Sequence, residues 1–172
     1  GFSNGGFMTQ RLACAASDRF AAFASVGATL FPYFVDMCEG QPPVPILLMH
    51  GTEDPSVPWD GTMIAGEVVG LSVPDTVLFW AVNHNHCAPE SVENTELPVD
   101  PVSGTQVFRY DFDDCDGRSD VVFYAIEGGG HNLPGVPERL EPSIAQAVNR
   151  DIVAGEVIWD FFAQHTLGDS AD

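Results

Sequence analysis

The sequence predicts an α/β architecture with a mainly parallel sheet flanked by helices. Three observations carry that expectation. Short continuous apolar runs recur along the chain, stretches of helical spacing separate them, and the runs break off into loops rich in glycine or proline. After the opening GFSNGG, the stretch FMTQRLACAAS places apolar or small side chains at Phe7, Met8, Leu12, Ala13 and Ala16, a helical spacing. DRFAAFASVGAT reads as a short buried strand ending at Gly27, followed by a loop that bears proline and cysteine. VPILLMHG is continuously apolar between proline and glycine, as expected of a strand buried on both faces. TMIAGEVVG and VPDTVLFWAVNHN are expected to be helical, and the alternation of TQVFRYDF suggests an edge strand. DVVFYAIEGGG is a second buried strand, running into a glycine-rich loop. SIAQAVNRDIVAGEVIWDFFAQH predicts a long closing helix with Ile144, Val148, Ile152, Ile158 and Phe162 on or near one stripe. No internal repeat interrupts this order.

At 172 residues the chain is expected to form a single domain, 1–172, with a sizeable core, and its 45% hydrophobic content argues for a globular protein. No apolar run approaches the ~20 residues needed to span a bilayer. No charged-then-apolar leader stands at the start, although a chain lacking its beginning could not show one. Twenty-five acidic residues against six arginines and no lysine give a formal net charge of −19. Such a surface repels nucleic acid and anionic membranes, so neither is expected as a partner. It suits salty surroundings, where screening softens self-repulsion, or equally an acidic secreted protein at ordinary salt. Cys14, Cys38, Cys87 and Cys115 lack C-x-x-C spacing, which disfavours a zinc or thioredoxin-like motif. Their even number fits two disulfides in an oxidising compartment, with three connectivities open, or four buried thiols in a reducing one.

Gly1-Phe2-Ser3-Asn4-Gly5 fits G-x-S-x-G, the strained turn that lifts a serine from a strand into a helix. Five residues match so short a pattern by chance, so an acid and a histidine must accompany it. In parallel sheets such residues gather at the carboxyl ends of strands. Asp54 stands just past VPILLMHG, and His131 just past VVFYAIE. The order Ser3, Asp54, His131 is that of α/β-hydrolases and differs from the chymotrypsin and subtilisin orders. Serine is a poor nucleophile until a base takes its proton, and the base needs an acid to fix its tautomer. Each residue also has a plainer use. Ser3 can cap the following helix, His131 can be a surface-loop histidine, and Asp54 can form a turn before Pro55, with Glu53, Asp36 and Asp60 competing as the acid.

GFSNGGFMTQRLAC, PVPILLMHGTEDPSVPWDG and VVFYAIEGGGHNLPG resemble the polyhydroxybutyrate depolymerase and feruloyl esterase group of secreted α/β-hydrolases. PDTVLFWAVNHNHC resembles that group's helix ending in a cysteine. The likeness runs in order from Gly1 to Gly135, with a compatible final helix. It implies a serine carboxylic-ester hydrolase working through an acyl-enzyme and needing no cofactor. Ser3 would be the nucleophile, Asp54 the acid, His131 the base, and the backbone N–H of Asn4 one oxyanion donor. The resemblance further implies the disulfides Cys14–Cys38 and Cys87–Cys115, secretion or a periplasmic location, and an ester substrate. That substrate would be a hydroxyalkanoate, a short-chain ester, or a feruloyl or acetyl ester on polysaccharide. Where the group carries Thr-Trp-Pro-Gly after its histidine, this chain has Asn132-Leu133-Pro134-Gly135, replacing an aromatic wall with an aliphatic one. Asn132, Leu133 and Trp59 are the candidate substrate-binding residues. The group's front half, including the loop that supplies the second oxyanion donor, has no counterpart in the sequence. The chain is therefore expected to be the C-terminal portion of the fold, with a missing N-terminal half or a second copy of itself as protein partner. A non-catalytic fragment and a serine peptidase on the same fold are the alternatives.

HNHC, from His84 to Cys87, has metal-ligand residue types but helix-end spacing, and no metal is expected there. DFDDCDGRSD does not fit a calcium-loop register and reads as a solvated acidic loop. Trp59 can line the cleft or pack in the core; Trp80 and Trp159 are expected in the core. His50 is expected to hydrogen-bond the loop after its strand, and His165 to be a solvated helix-end residue.

Overall fold

The computed structural model describes residues 1–88, 92–136 and 148–167. Helix α1 (Asn4–Ala15) leads to strand β1 (Phe23–Val26), helix α2 (Pro32–Cys38) and strand β2 (Ile46–Gly51). The hairpin β3 (Thr62–Ile64) and β4 (Glu67–Gly70) precedes α3 (Val73–Leu78), which continues as a π-helical turn over Phe79–His84. Strands β5 (Val92–Glu96), β6 (Gln106–Phe112) and β7 (Val121–Glu127) follow, and then helix α4 (Ala154–Phe162).

Five strands form one sheet in the order β1-β2-β7-β6-β5. β1, β2 and β7 run parallel, while β6 pairs antiparallel with β7 and β5 antiparallel with β6. The sheet is thus mixed, not mainly parallel. Short connections join β5 to β6 and β6 to β7, and a short connection returns the chain antiparallel, whereas a parallel neighbour needs a crossover. Phe2 forms a parallel bridge with Val26, so residues 1–2 run along the free side of β1.

β2 and β7 are apolar over Ile46–Met49 and Val121–Ile126 because both sheet faces are covered there, with alternate residues feeding opposite cores. Ile46, Leu48, Val121, Phe123 and Ala125 pack with Ala13, Phe34, Val77 and Trp80 from α1, α2, α3 and the π-helical turn. Leu47, Met49, Val122, Tyr124 and Ile126 pack with Ala154, Ile158 and Phe161 of α4. Full burial of one such side chain stabilises the fold by about 1.5–3 kcal/mol. Cys14 is bonded to Cys38, tying α1 to α2, and Cys87 to Cys115, tying the end of the π-helical turn to the segment after β6. Closing loops of 24 and 28 residues removes unfolded-chain entropy, on the order of 3 kcal/mol each.

Several expectations are corrected. TMIAGEVVG is the β3–β4 hairpin, not a helix. Ala65 and Gly66, at φ 52 and 85, form its two-residue turn, and positive φ at both positions is the turn whose twist matches a hairpin. TQVFRYDF is interior: β5, exposed along its length, is the edge strand on that side of the sheet. The cysteine-bearing loop after β1 contains α2. The closing helix starts only at Ala154, and Ile144 lies outside the described residues. Asn149 Oδ1 accepts the N–H groups of Asp151 and Ile152, a side-chain turn that competes with helix. Trp159 is 69% exposed, on the side of α4 away from the core, whereas Trp80 is fully buried.

Candidate active site

Ser3 sits between the Phe2 bridge and α1. Its backbone is fixed to β1 by Ser3 N–H to Val26 O and Val26 N–H to Gly1 O, both 2.9 Å. At φ 55 and ψ −120 it occupies a region that L-residues avoid, at a cost of about 1–3 kcal/mol that the surroundings must offset. Gly6 permits the tight approach of α1 to the strand. A Cβ there would lie 2.8 Å from Ala28 Cβ and 2.9 Å from Val26 O, whereas one on Gly5 would meet nothing. The crowded glycine on the helix side is therefore the one just beyond the five-residue motif. Although Ser3 holds the N-cap position of α1, its side chain makes no capping hydrogen bond.

The Ser3 hydroxyl turns instead to His131, with Oγ 2.9 Å from Nε2. His131 Nδ1 lies 2.6 Å from Asp54 Oδ2. The other Asp54 oxygen accepts the N–H groups of Ser56 and Val57, each at 2.8 Å. Asp54 is buried, 4% exposed. Burial alone would push its carboxyl up, but donation from His131, Val57 and Ser56 outweighs burial and holds it below the ordinary carboxylate value. An ionised Asp54 only accepts, so His131 Nδ1 donates, and Nε2 of the neutral ring is left to accept the Ser3 proton. Glu53, Asp36 and Asp60, the competing acids, are all exposed.

Two loops carry Asp54 and His131, and backbone hydrogen bonds lace them together. Thr52 N–H donates to Ile126 O and Glu53 N–H to Gly129 O, both 2.9 Å, while Gly128 N–H donates to Thr52 Oγ1 at 3.0 Å. A Cβ on Gly51 would collide with the backbone of Gly129 and Gly130, so glycine is required where the loops cross. Thr52, Gly51 and Gln10 are singled out by no sequence motif, and their contacts arise only from the fold. Gln10 is fully buried and bonds Ser25 Oγ and Ala28 O while accepting the Trp80 Nε1 proton, anchoring α1 one side of the sheet.

Asn4 opens α1, where first-turn N–H groups have no intrahelical partner. Trp59 is half-buried and packs inward, its ring 6.1 Å from Phe123 and 6.3 Å from His50. Leu133 packs against the α4-side core, and Asn132 N–H donates to Gly130 O within the histidine loop. The Phe2 ring, 4.9 Å from that of His131, covers one side of the imidazole. His84 is buried between Phe79 and Trp80, and exposed His86 pairs with Asp116 at 2.8 Å. Among the described residues no three His, Cys, Asp or Glu groups converge as metal ligands. His165 is half-buried against Phe161, with burial lowering its pKa, so it is less solvated than expected. No helix among the described residues is long and apolar enough to cross a membrane.

Fold and site together define an α/β protein that presents a hydrogen-bonded serine, histidine and aspartate at the carboxyl ends of its parallel strands. The chain is similar to "Putative esterase NocK" of Nocardia uniformis subsp. tsuyamanensis, 30% identical over 169 residues that cover 94% of this chain and 49% of that protein. It is likewise 30% identical to "Probable feruloyl esterase C" of Aspergillus niger and "Feruloyl esterase C" of Emericella nidulans, over 165 residues covering 94% of the chain and 47% of each. The chain spans about half the length of the curated relatives it matches. No protein-family model matches it. The relatives bear out the resemblance to a feruloyl esterase-like group.

Proposed function

We propose that this chain carries the site of a serine carboxylic-ester hydrolase on an α/β-hydrolase fold, with Ser3, His131 and Asp54 as its catalytic triad. The observation that carries the reading is the continuous path from Ser3 Oγ through His131 to Asp54, at 2.9 and 2.6 Å. His131 Nε2 takes the hydroxyl proton as Oγ bonds to the ester carbonyl carbon, and Asp54 stabilises the resulting imidazolium. The proton then passes to the departing alcohol, leaving an acyl group on Ser3. Water attacks that ester by the same route in reverse. The N–H of Asn4 is proposed as an oxyanion donor; one such donor is worth about 10²–10³ in rate.

The names of the relatives favour a feruloyl or related carboxylic ester as substrate. Leu133 and Asn132 are proposed to border the acyl group, and Trp59 to support the acid loop from behind. The two disulfides favour an oxidising compartment, outside the cytoplasm.

The test is labelling of the chain with a fluorophosphonate, with the adduct located by mass spectrometry. The expected result is a single adduct on Ser3, absent in Ser3→Ala and strongly suppressed in His131→Ala. Folded, soluble protein that takes up no label would overturn the reading for this chain. Parallel ester and anilide substrates would then separate an esterase from a peptidase.

A further inference from the structure

His50 is buried at the end of β2, 3% exposed, and the proton transfers proposed above do not use it. It lies four residues before Asp54, on the sheet face of Ile46 and Leu48, and the Trp59 ring closes over it edge-on. Its Nε2 is 2.9 Å from Val57 O and 3.5 Å from Asp54 Oδ2. A carbonyl only accepts, so Nε2 carries the proton. That one N–H therefore grips the residue whose own N–H binds Asp54 Oδ1, and it also faces the carboxylate oxygen that receives His131.

We infer that His50 is a positioning residue for Asp54: it closes the 51–57 loop from beneath and aims Oδ2 at His131 Nδ1. This rests on the Ser3–His131–Asp54 reading. The geometry is specific. Without the Val57 anchor, Asp54 keeps its Ser56 and Val57 donors only as long as the loop holds its shape. The carboxylate can then rotate away from His131. Displacement of a catalytic group by about 1 Å costs on the order of 10²-fold in rate. Asp54 and, beyond it, His131 are the ionisable groups felt by His50, while Trp59 stands on its apolar side.

Two variants of the full chain test this. His50→Gln keeps an N–H donor near the Nε2 position, and His50→Leu removes the donor while filling the space. The first readout is the proton NMR resonance of His131 Nδ1–H, which lies far downfield when donated to a carboxylate. It should persist in His50→Gln and shift upfield or vanish in His50→Leu. The second readout is the rate of Ser3 acylation by a fluorophosphonate across pH. The expected result is a loss of about tenfold to a hundredfold in His50→Leu with a displaced acid limb, and near-native behaviour in His50→Gln. Equal losses in both folded variants, or an unchanged resonance and pH profile in His50→Leu, would overturn the inference. Because the resonance is read on unreacted protein, a native chain that never labels counts against the esterase reading and leaves this one decided by NMR.

Discussion

Asp54 and His50 give the site's stability a pH dependence of one sign. Asp54 is held below its ordinary 3.8 despite burial, and burial lowers His50 below 6.5 more than Val57 O and Asp54 raise it. In both cases the unfolded chain binds the proton more readily than the folded one. The stability each contributes is therefore full above the unfolded pKa and is lost as pH falls through the folded one. His50 begins to act below about pH 6.5 and Asp54 below about pH 3.8. Acid also relieves repulsion among the other carboxylates, so the native chain is best compared with His50→Gln. The urea midpoint of the native chain should drop relative to the variant between about pH 7.5 and pH 5, and parallel curves would remove His50 as the titrating group. At the same scale, the proposed role of Ser3 was legible only as a motif. Its positive φ and the crowding at Gly6 are properties of a backbone already packed on β1.

Elements were legible where one local signal dominated. The runs IleLeuLeuMet in β2 and ValValPheTyrAlaIle in β7 have no polar positions, and both are central strands. The hairpin was hidden because Thr62, Met63, Ile64, Val68 and Val69 mimic a helical spacing over nine residues. The decisive signal was the Ala65-Gly66 turn together with the β-branched residues. β6 alternates as an edge strand would, yet it is covered by β5, whose sequence ValGluAsnThrGlu offers almost no apolar pattern to read. Asp54 and His131 could be picked out as neighbours of Ser3 because each follows a buried strand directly. The lacing of their loops was not legible, since it depends on hydrogen bonds between segments far apart in sequence, such as Gly128 N–H with the Thr52 hydroxyl, which are 76 residues apart. This lacing makes Gly51→Ala a sharp test. The added methyl meets backbone, which cannot swing aside, so a loss of about 1–3 kcal/mol is expected in chemical unfolding. Ser3 labelling should slow in the same variant. A native-like midpoint and labelling rate would mean the crossing tolerates separation.

For the whole molecule, charge and cross-links set the terms. A formal charge of −19 on 172 residues opposes compaction through self-repulsion, and added salt screens it. The melting temperature should therefore rise between low and molar sodium chloride; a flat or falling response would show that the charges are too well dispersed to matter. The sheet carries α1, α2 and α3 on one face and α4 on the other, and both disulfides lie on the three-helix side. The three groups of the proposed triad are distributed unequally over this frame. Asp54 and His131 ride on two loops sewn to each other, whereas the backbone of Ser3 is held by β1 and α1, with only the Phe2 ring and the Ser3 hydroxyl, among the described contacts, reaching His131. The proposed base and acid thus share one support and the proposed nucleophile has another. Thermal or chemical stress is therefore expected to part Ser3 from His131 before it parts His131 from Asp54, so fluorophosphonate labelling of Ser3 should fall before the His131 Nδ1–H resonance is lost.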